Sequence, residues 1–146
     1  MKEKLVKRFY CDHCKTSAGQ RAAMVKHEAG CTLNPNRTCK MCVITESEQQ
    51  SMDALINAAK DGLAALETLA ENCPACILAA IRQLRKAEPS HVQFSRVFDE
   101  SAGEWSQNPV LDDFDYKKAV AEFWAIERDG EQFLRDVKRD YEAVCV

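Results

Sequence analysis

Seven of the eight cysteines and one of the three histidines stand at spacings that suit metal coordination. Cys11 and Cys14 form a C-x2-C pair, His27 follows after twelve residues, and Cys31 comes three residues later. Two thiolates on a tight knuckle and two ligands one helical turn apart can close a tetrahedron, and C-x2-C-x12-H-x3-C is the ligand spacing expected of a zinc site. Two further pairs, Cys39 with Cys42 and Cys73 with Cys76, are separated by 30 residues. Brought together they make a four-thiolate site with no open position, which is structural and not catalytic zinc chemistry. Two zinc ions are therefore the expected cofactors, and only Cys145 is left over.

Two other uses of the same residues compete with this one. In a cross-braced arrangement, Cys11 and Cys14 would share a metal with Cys39 and Cys42, leaving His27 and Cys31 for Cys73 and Cys76. The helical spacing of Met24 and His27 favours sequential sites. Alternatively, Cys73-Pro-Ala-Cys76 at a helix start suits a thiol–disulfide oxidoreductase, because the helix dipole lowers a thiol pKa there. Such motifs follow a strand in an α/β fold, and no βαβ pattern surrounds Asn72. Disulfides are disfavoured: MKEKLVKRFYC has no apolar core of a secretory signal, so a reducing cytoplasm is expected. No apolar run approaches the roughly 18 residues of a membrane helix.

The elements that must position these ligands can be read from punctuation and period. A basic arm (1–8) leads to a small strand or hairpin at Phe9–Lys15, and a short helix starting at Ser17 or Gly19 carries Arg21, Met24 and His27. Gly30 and Asn34-Pro35-Asn36 end it. Thr45 with Glu48, and Ser47 with Gln50, fit the capping-box pattern. Met52, Leu55, Ile56, Ala59, Leu63, Leu66 and Ala70 then predict one helix of about six turns. Asn72 or Cys73 stops it, Pro74 suits the first turn of a second helix, and Glu88-Pro89 ends that one. An antiparallel hairpin of two helices, tied at Cys73 and Cys76, is the expected result.

Residues 91–98 read as a short helix or an edge strand, and 103–109 as a surface loop holding Trp105. Asp112 or Asp113 offers an N-cap for a last helical stretch, with Asp115 completing an acidic capping cluster. Gly130 interrupts its apolar stripe, so one kinked helix or two in sequence are expected. The fold class that follows is mainly α: an N-terminal zinc-finger module of ββα type with a second knuckle (1–44), a zinc-stapled helical hairpin (45–89), an irregular linker (90–112) and a C-terminal helical region (113–146).

Charge is divided along the chain. Residues 1–42 hold nine Lys or Arg against three Asp or Glu, a local charge of +6, within a total of −3. The rest carries −9. A basic head on an acidic body suits contact with a polyanion through the head.

The stretch from Phe9 to Cys31 resembles the ββα zinc-finger family with Cys in place of the last His. Phe9 stands where that family has an aromatic, and Met24 where it has a core Leu. Ala18 falls where it usually has Phe, which implies a thinner finger core that leans on the rest of the protein. The resemblance covers about 23 of 146 residues and implies base-facing positions at Gln20, Ala23 and Lys26. One finger reads about three base pairs, too few for useful specificity. Phosphate contact through Lys2, Lys4, Lys7, Arg8, Lys15, Arg21 and Lys26 is the alternative it leaves.

The order of the chain, HEAGCTLNPNRTCKMC followed by NCPACILAAIRQ, looks like small zinc-finger proteins carried by bacteriophages and prophages. That resemblance implies an accessory protein in the host cytoplasm. The leading expectation is a non-enzymatic zinc protein that binds DNA or RNA non-specifically, or a nucleic-acid-bound host complex. The alternative is an inhibitor or adaptor of host defence machinery acting through the acidic helical body, with an oligomer through the C-terminal helices as a further expectation. No phosphate loop or G-x-S-x-G motif is present, and His13 and His91 have no partner set for hydrolysis. Core packing is the expected use of Phe94, Phe98, Trp105 and Trp124.

Overall fold

The computed structural model describes residues 1–89, 96–101, 103–107 and 111–144, with backbone alone at 96–99, 104–107, 112, 137, 138 and 140–144. His91, Phe94 and Cys145 lie outside the described residues. Strand β1 (Phe9–Tyr10) pairs antiparallel with β2 (Ser17–Ala18), Phe9 opposite Ala18, and helix α1 (Arg21–Gly30) follows. Ser17 therefore belongs to a strand and does not start the helix. Gln20 is the residue before α1, in extended conformation and without a side-chain cap.

The helical body departs from the expected hairpin in a specific way. Cys39 immediately precedes, and Cys42 lies within, a separate short helix, α2 (Lys40–Ile44). Thr45 ends α2 and turns its hydroxyl back to donate to the Met41 carbonyl at 2.9 Å. That use of Thr45 removes it from any capping box. The next helix, α3 (Met52–Asp61), starts instead at Ser51, whose Oγ accepts from the Ala54 amide. The expected six-turn helix breaks at Gly62, with φ 130°, and continues as α4 (Leu63–Leu69). Such a φ is available to glycine and strained for other residues. The body thus has three helices where the apolar stripe predicts two.

Their directions follow from fixed contacts. The Gln49 side chain ties the start of α3 to the Cys39 knuckle, and Lys60 at its far end pairs with Glu88 beyond helix α5 (Pro74–Ala87) at 3.1 Å. Helices α3 and α5 therefore run the same way, and α4 carries the chain back to Cys73. Left-handed Glu71 and Asn72 make the turn into Cys73. Pro74 then opens α5, where its missing N–H costs nothing.

Leu55, Leu66, Ile77 and Leu84 are fully buried between these helices, with Ala79 and Ala80 at 0% allowing close approach of backbones. Each large aliphatic side chain contributes roughly 1.5–3 kcal/mol on burial. Strands β3 (Arg96–Asp99) and β4 (Glu104–Gln107) pair antiparallel within 90–112; β3 overlaps the stretch that reads as a short helix or an edge strand, and β4 replaces the expected loop. Trp105 lies in β4, opposite Phe98, not in a loop. A 3-10 turn (Leu111–Asp113) precedes α6 (Tyr116–Val144), a single 29-residue helix that passes through Gly130 without a break. Asp115 accepts from a first-turn amide, that of Lys118. Phe123 and Trp124 of α6 pack edge to face and lean on the core.

Candidate metal centres

The structure brings together Cys11, Cys14, His27 and Cys31 in one cluster and Cys39, Cys42, Cys73 and Cys76 in another. In each, the four ligand atoms lie within 4.8 Å of one another. This is the sequential arrangement; the cross-braced one is not formed.

In the second cluster, Cys39 Sγ–Cys73 Sγ, Cys42 Sγ–Cys73 Sγ and Cys42 Sγ–Cys76 Sγ are each 3.6 Å. A disulfide needs about 2.05 Å. A zinc tetrahedron with 2.3 Å arms has edges of about 3.8 Å. The sulfurs thus stand at the separation of shared ligands. All four are buried, Cys39 at 0% and Cys76 at 2%, and they are continuous with the leucine core. Cys73 ends the loop before α5 and Cys76 lies in its first turn; Cys39 and Cys42 flank the start of α2. Each pair is a knuckle on a helix start, and folding α3 and α4 between them closes the site.

Electrostatics make the same point. The Cys39 thiol is held far below its usual range by hydrogen bonds from the Cys73 and Cys76 thiols. Two of the other thiols move the opposite way: hydrogen bonding to Cys39 and Cys73 raises Cys76, and burial pushes Cys42 up to about 12. Four adjacent buried thiols cannot all ionise without a cation. A divalent metal relieves that conflict, because the bound ligands are thiolates.

The first cluster is more open. Cys11 and Cys31 are buried with Met24, while Cys14 and His27 are half-exposed. His27 Nε2 faces Cys14 Sγ at 3.2 Å, slightly inside the roughly 3.5 Å edge of a mixed sulfur–nitrogen tetrahedron. The His13 amide donates to Cys11 Sγ and the Thr16 amide to Cys14 Sγ, both at 3.4 Å. The Thr16 contacts come first among the causes that lower the Cys14 thiol to about 6; burial raises Cys31. Phe9, Ala18 and Leu33 complete a small core around Met24. Ala18 leaves this core thin, as its residue type implies.

Among the described residues, the side-chain hydrogen bonds from α5 to the finger fall on its loops and not on the exposed face of α1. Gln83 of α5 donates from Nε2 to the Thr32 and Asn34 carbonyls at 2.9 and 3.1 Å, and Arg82 reaches Thr32 Oγ1 at 3.1 Å. Lys86 Nζ lies 3.5 Å from the His13 carbonyl. Lys7, Arg8, Lys15, Gln20, Arg21 and Lys26 all remain exposed, as does Ala23. Arg8 bonds Ser17 Oγ, and Lys7 stands 5.4 Å above the Phe9 ring.

Two contributors escape sequence reasoning. Gln49 accepts from the Cys39 amide at 2.6 Å and donates to the Arg37 carbonyl at 2.8 Å, bracing the second knuckle from ten residues away. Gln83 is a buried polar residue on an apolar helix face. Only the second leaves a trace in the sequence, as a polar interruption between Ile81 and Leu84.

No protein-family model, curated protein or solved structure matches this chain. The assignment rests on the two clusters themselves, which are consistent with two zinc ions and mark a zinc-binding protein. Among the described residues, no helix is long and apolar enough to cross a membrane.

Proposed function

We propose that the chain is a non-enzymatic protein, held together by two structural zinc ions, that binds nucleic acid through the basic outer surface of its N-terminal finger. The observation that carries this reading is the docking of the finger. Its contacts with α5 use the loop at Thr32–Asn34 and the His13 carbonyl, and leave all six candidate contact residues facing solvent. Phosphate attraction dominates, since one finger offers too few base contacts to specify a sequence. The resemblance to phage finger proteins makes host DNA, RNA or a nucleic-acid-bound complex the first ligand to try.

The test is fluorescence anisotropy of the zinc-loaded chain with labelled duplex and single-stranded oligonucleotides between 50 and 200 mM salt. Affinity is expected to fall along a log–log line whose slope is about −0.9 per phosphate contacted on duplex DNA. Neutralising Lys7, Arg8 and Lys15 together should flatten that slope by about 3. No binding at low salt, or binding indifferent to salt, would remove the reading.

A second reading has its own observation. Ile126, Phe133 and Leu134 of α6 are exposed at 71%, 67% and 67%, an apolar strip on an otherwise charged helix. Such a strip suits contact with another protein. A complex that survives nuclease treatment and is lost on Phe133→Asp would favour it.

A further inference from the structure

A cavity of about 320 Å³ lies between the two metal clusters, in the angle of α1, the loop after it, α2 and the start of α6. Lys26, Arg37 and Lys40 line it with the hydroxyl-bearing Thr32, Thr38 and Tyr116, and no carboxylate lines it. Arg37 is the unusual member. It is 7% exposed, and its Nε and Nη1 are buried with no hydrogen-bond partner.

A guanidinium is always charged and carries five donors, so burying it unpaired is costly. The neighbouring thiols do not answer for it: neither buried nitrogen bonds a sulfur, although Cys39 is only two residues away. Lys26 and Lys40 likewise have no ion-pair partner among the described residues. Arg37 also borders a second, shallower depression beside Gln49, where Asp53 is the acidic residue among the lining. The concentration of cations is on the α1 side.

We propose that this cavity binds a phosphoryl dianion of the phosphomonoester class, as in a nucleotide or a phosphorylated nucleic-acid end. Three cations around one concavity match a doubly charged tetrahedral oxyanion better than the singly charged phosphodiesters of a continuous strand. Arg37 supplies a fixed charge in the wall and gains partners for its orphaned nitrogens if its guanidinium turns toward the bound oxyanion, while Lys26 and Lys40 act as point charges at the rim. Thr32 Oγ1 accepts from Arg82 and keeps its own hydrogen to donate. This inference uses the folded metal-cluster scaffold and does not depend on nucleic-acid binding by the outer face of the finger.

The experiment is isothermal titration of the full-length, zinc-loaded chain with inorganic phosphate at constant ionic strength, then with AMP against adenosine, and with 5′-phosphorylated against 5′-hydroxyl oligonucleotides. Saturable binding of phosphate and AMP, and none of adenosine, is expected. Preference for the phosphorylated end would identify nucleic acid as the source; equal oligonucleotide binding with retained AMP binding would identify a free nucleotide. Arg37→Met should weaken phosphate binding at least about tenfold, as loss of a charge-assisted contact does, and Arg37→Lys should fall between. If Arg37→Met does not fold, Lys26→Ala with Lys40→Ala, both at exposed positions, carries the same expectation. Lys15→Ala should weaken oligonucleotide binding alone, which separates this site from the finger surface. Undiminished phosphate binding by Arg37→Met, or loss of a zinc ion from it, would overturn the proposal; the latter would make Arg37 a counter-charge to the four-cysteine centre.

Discussion

At the scale of single residues, the two clusters differ in what surrounds them, and that difference predicts different consequences of losing a ligand. Cys73 and Cys76 share one buried cluster with Leu55, Leu66 and Leu84, whereas Cys31 shares its small core with Met24 and Cys11. Apparent zinc-binding free energies of about 10–16 kcal/mol at structural sites exceed the stability of a typical domain. Cys73→Ser is therefore expected to leave one zinc by native mass spectrometry and to abolish the cooperative thermal transition of the body. Cys31→Ser should also leave one zinc but keep that transition and most of the helical circular dichroism. Alkylation of the native protein should be slow at Cys73 and Cys76 until a chelator is added. Two retained zinc ions and an unchanged transition in Cys73→Ser would refute the second centre. The ligand set itself is legible in the sequence because spacing encodes it: each knuckle is local, and only the pairing of the last two is a long-range event. Arg37 and Gln49 are not legible in this way, since nothing local distinguishes a buried Arg or a bracing Gln from surface residues.

At the scale of elements, the departures all come from local chemistry outcompeting a correct apolar period. The stripe from Met52 to Ala70 is real, and Met52, Leu55, Ala59, Leu63, Leu66 and Ala70 are all buried. Burial on one continuous pattern does not require one continuous helix, because Gly62 reverses the chain while keeping both apolar faces on the same core. Gly62→Ala places a side chain at φ 130°, with open space around its Cβ. The cost is then purely conformational, on the order of 1–3 kcal/mol. Urea unfolding of the zinc-loaded variant should show that loss with both zinc ions retained; a neutral or stabilising result would mean that α3 and α4 can join as the single predicted helix. Ser51→Ala should cost about 1 kcal/mol through its lost cap. Three Ser/Thr residues, Thr45, Ser47 and Ser51, compete for this helix start. The winner is set by where the Cys39–Cys42 knuckle ends, which is a tertiary fact. In α6, Gly130 is tolerated because the helix is held by its own ion pairs nearby, Arg135 with Glu131 and Arg139 with Asp136, and helix propensity alone did not decide its continuity.

At the scale of the whole molecule, the question is whether two metal centres make one cooperative body or a rigid core carrying a separate finger. Gln83 decides it. Its amide is nine-tenths buried and donates to two carbonyls of the loop that follows the Cys31 ligand, so the finger is joined to α5 by backbone acceptors whose positions the first metal centre sets. Replacing Gln83 by Leu fills a similar volume but removes the side-chain donor to the Thr32 carbonyl, at about 1–3 kcal/mol for a group left unsatisfied, while the Asn34 carbonyl keeps the Arg37 amide. Gln83→Leu is therefore expected to retain two zinc ions and the body's thermal transition. It should raise amide hydrogen exchange across residues 31–38, and separate a finger transition from that of the body. The same variant should weaken phosphate binding in the cavity between the clusters, because Lys26 and Thr32 belong to the finger side of that cavity and Lys40 and Tyr116 to the body side. Nucleic-acid binding by the exposed face of α1 should change little. If exchange at 31–38 stays at the wild-type rate in Gln83→Leu, the finger is held by its metal and its own core alone, and the cavity is a gap between two independent units.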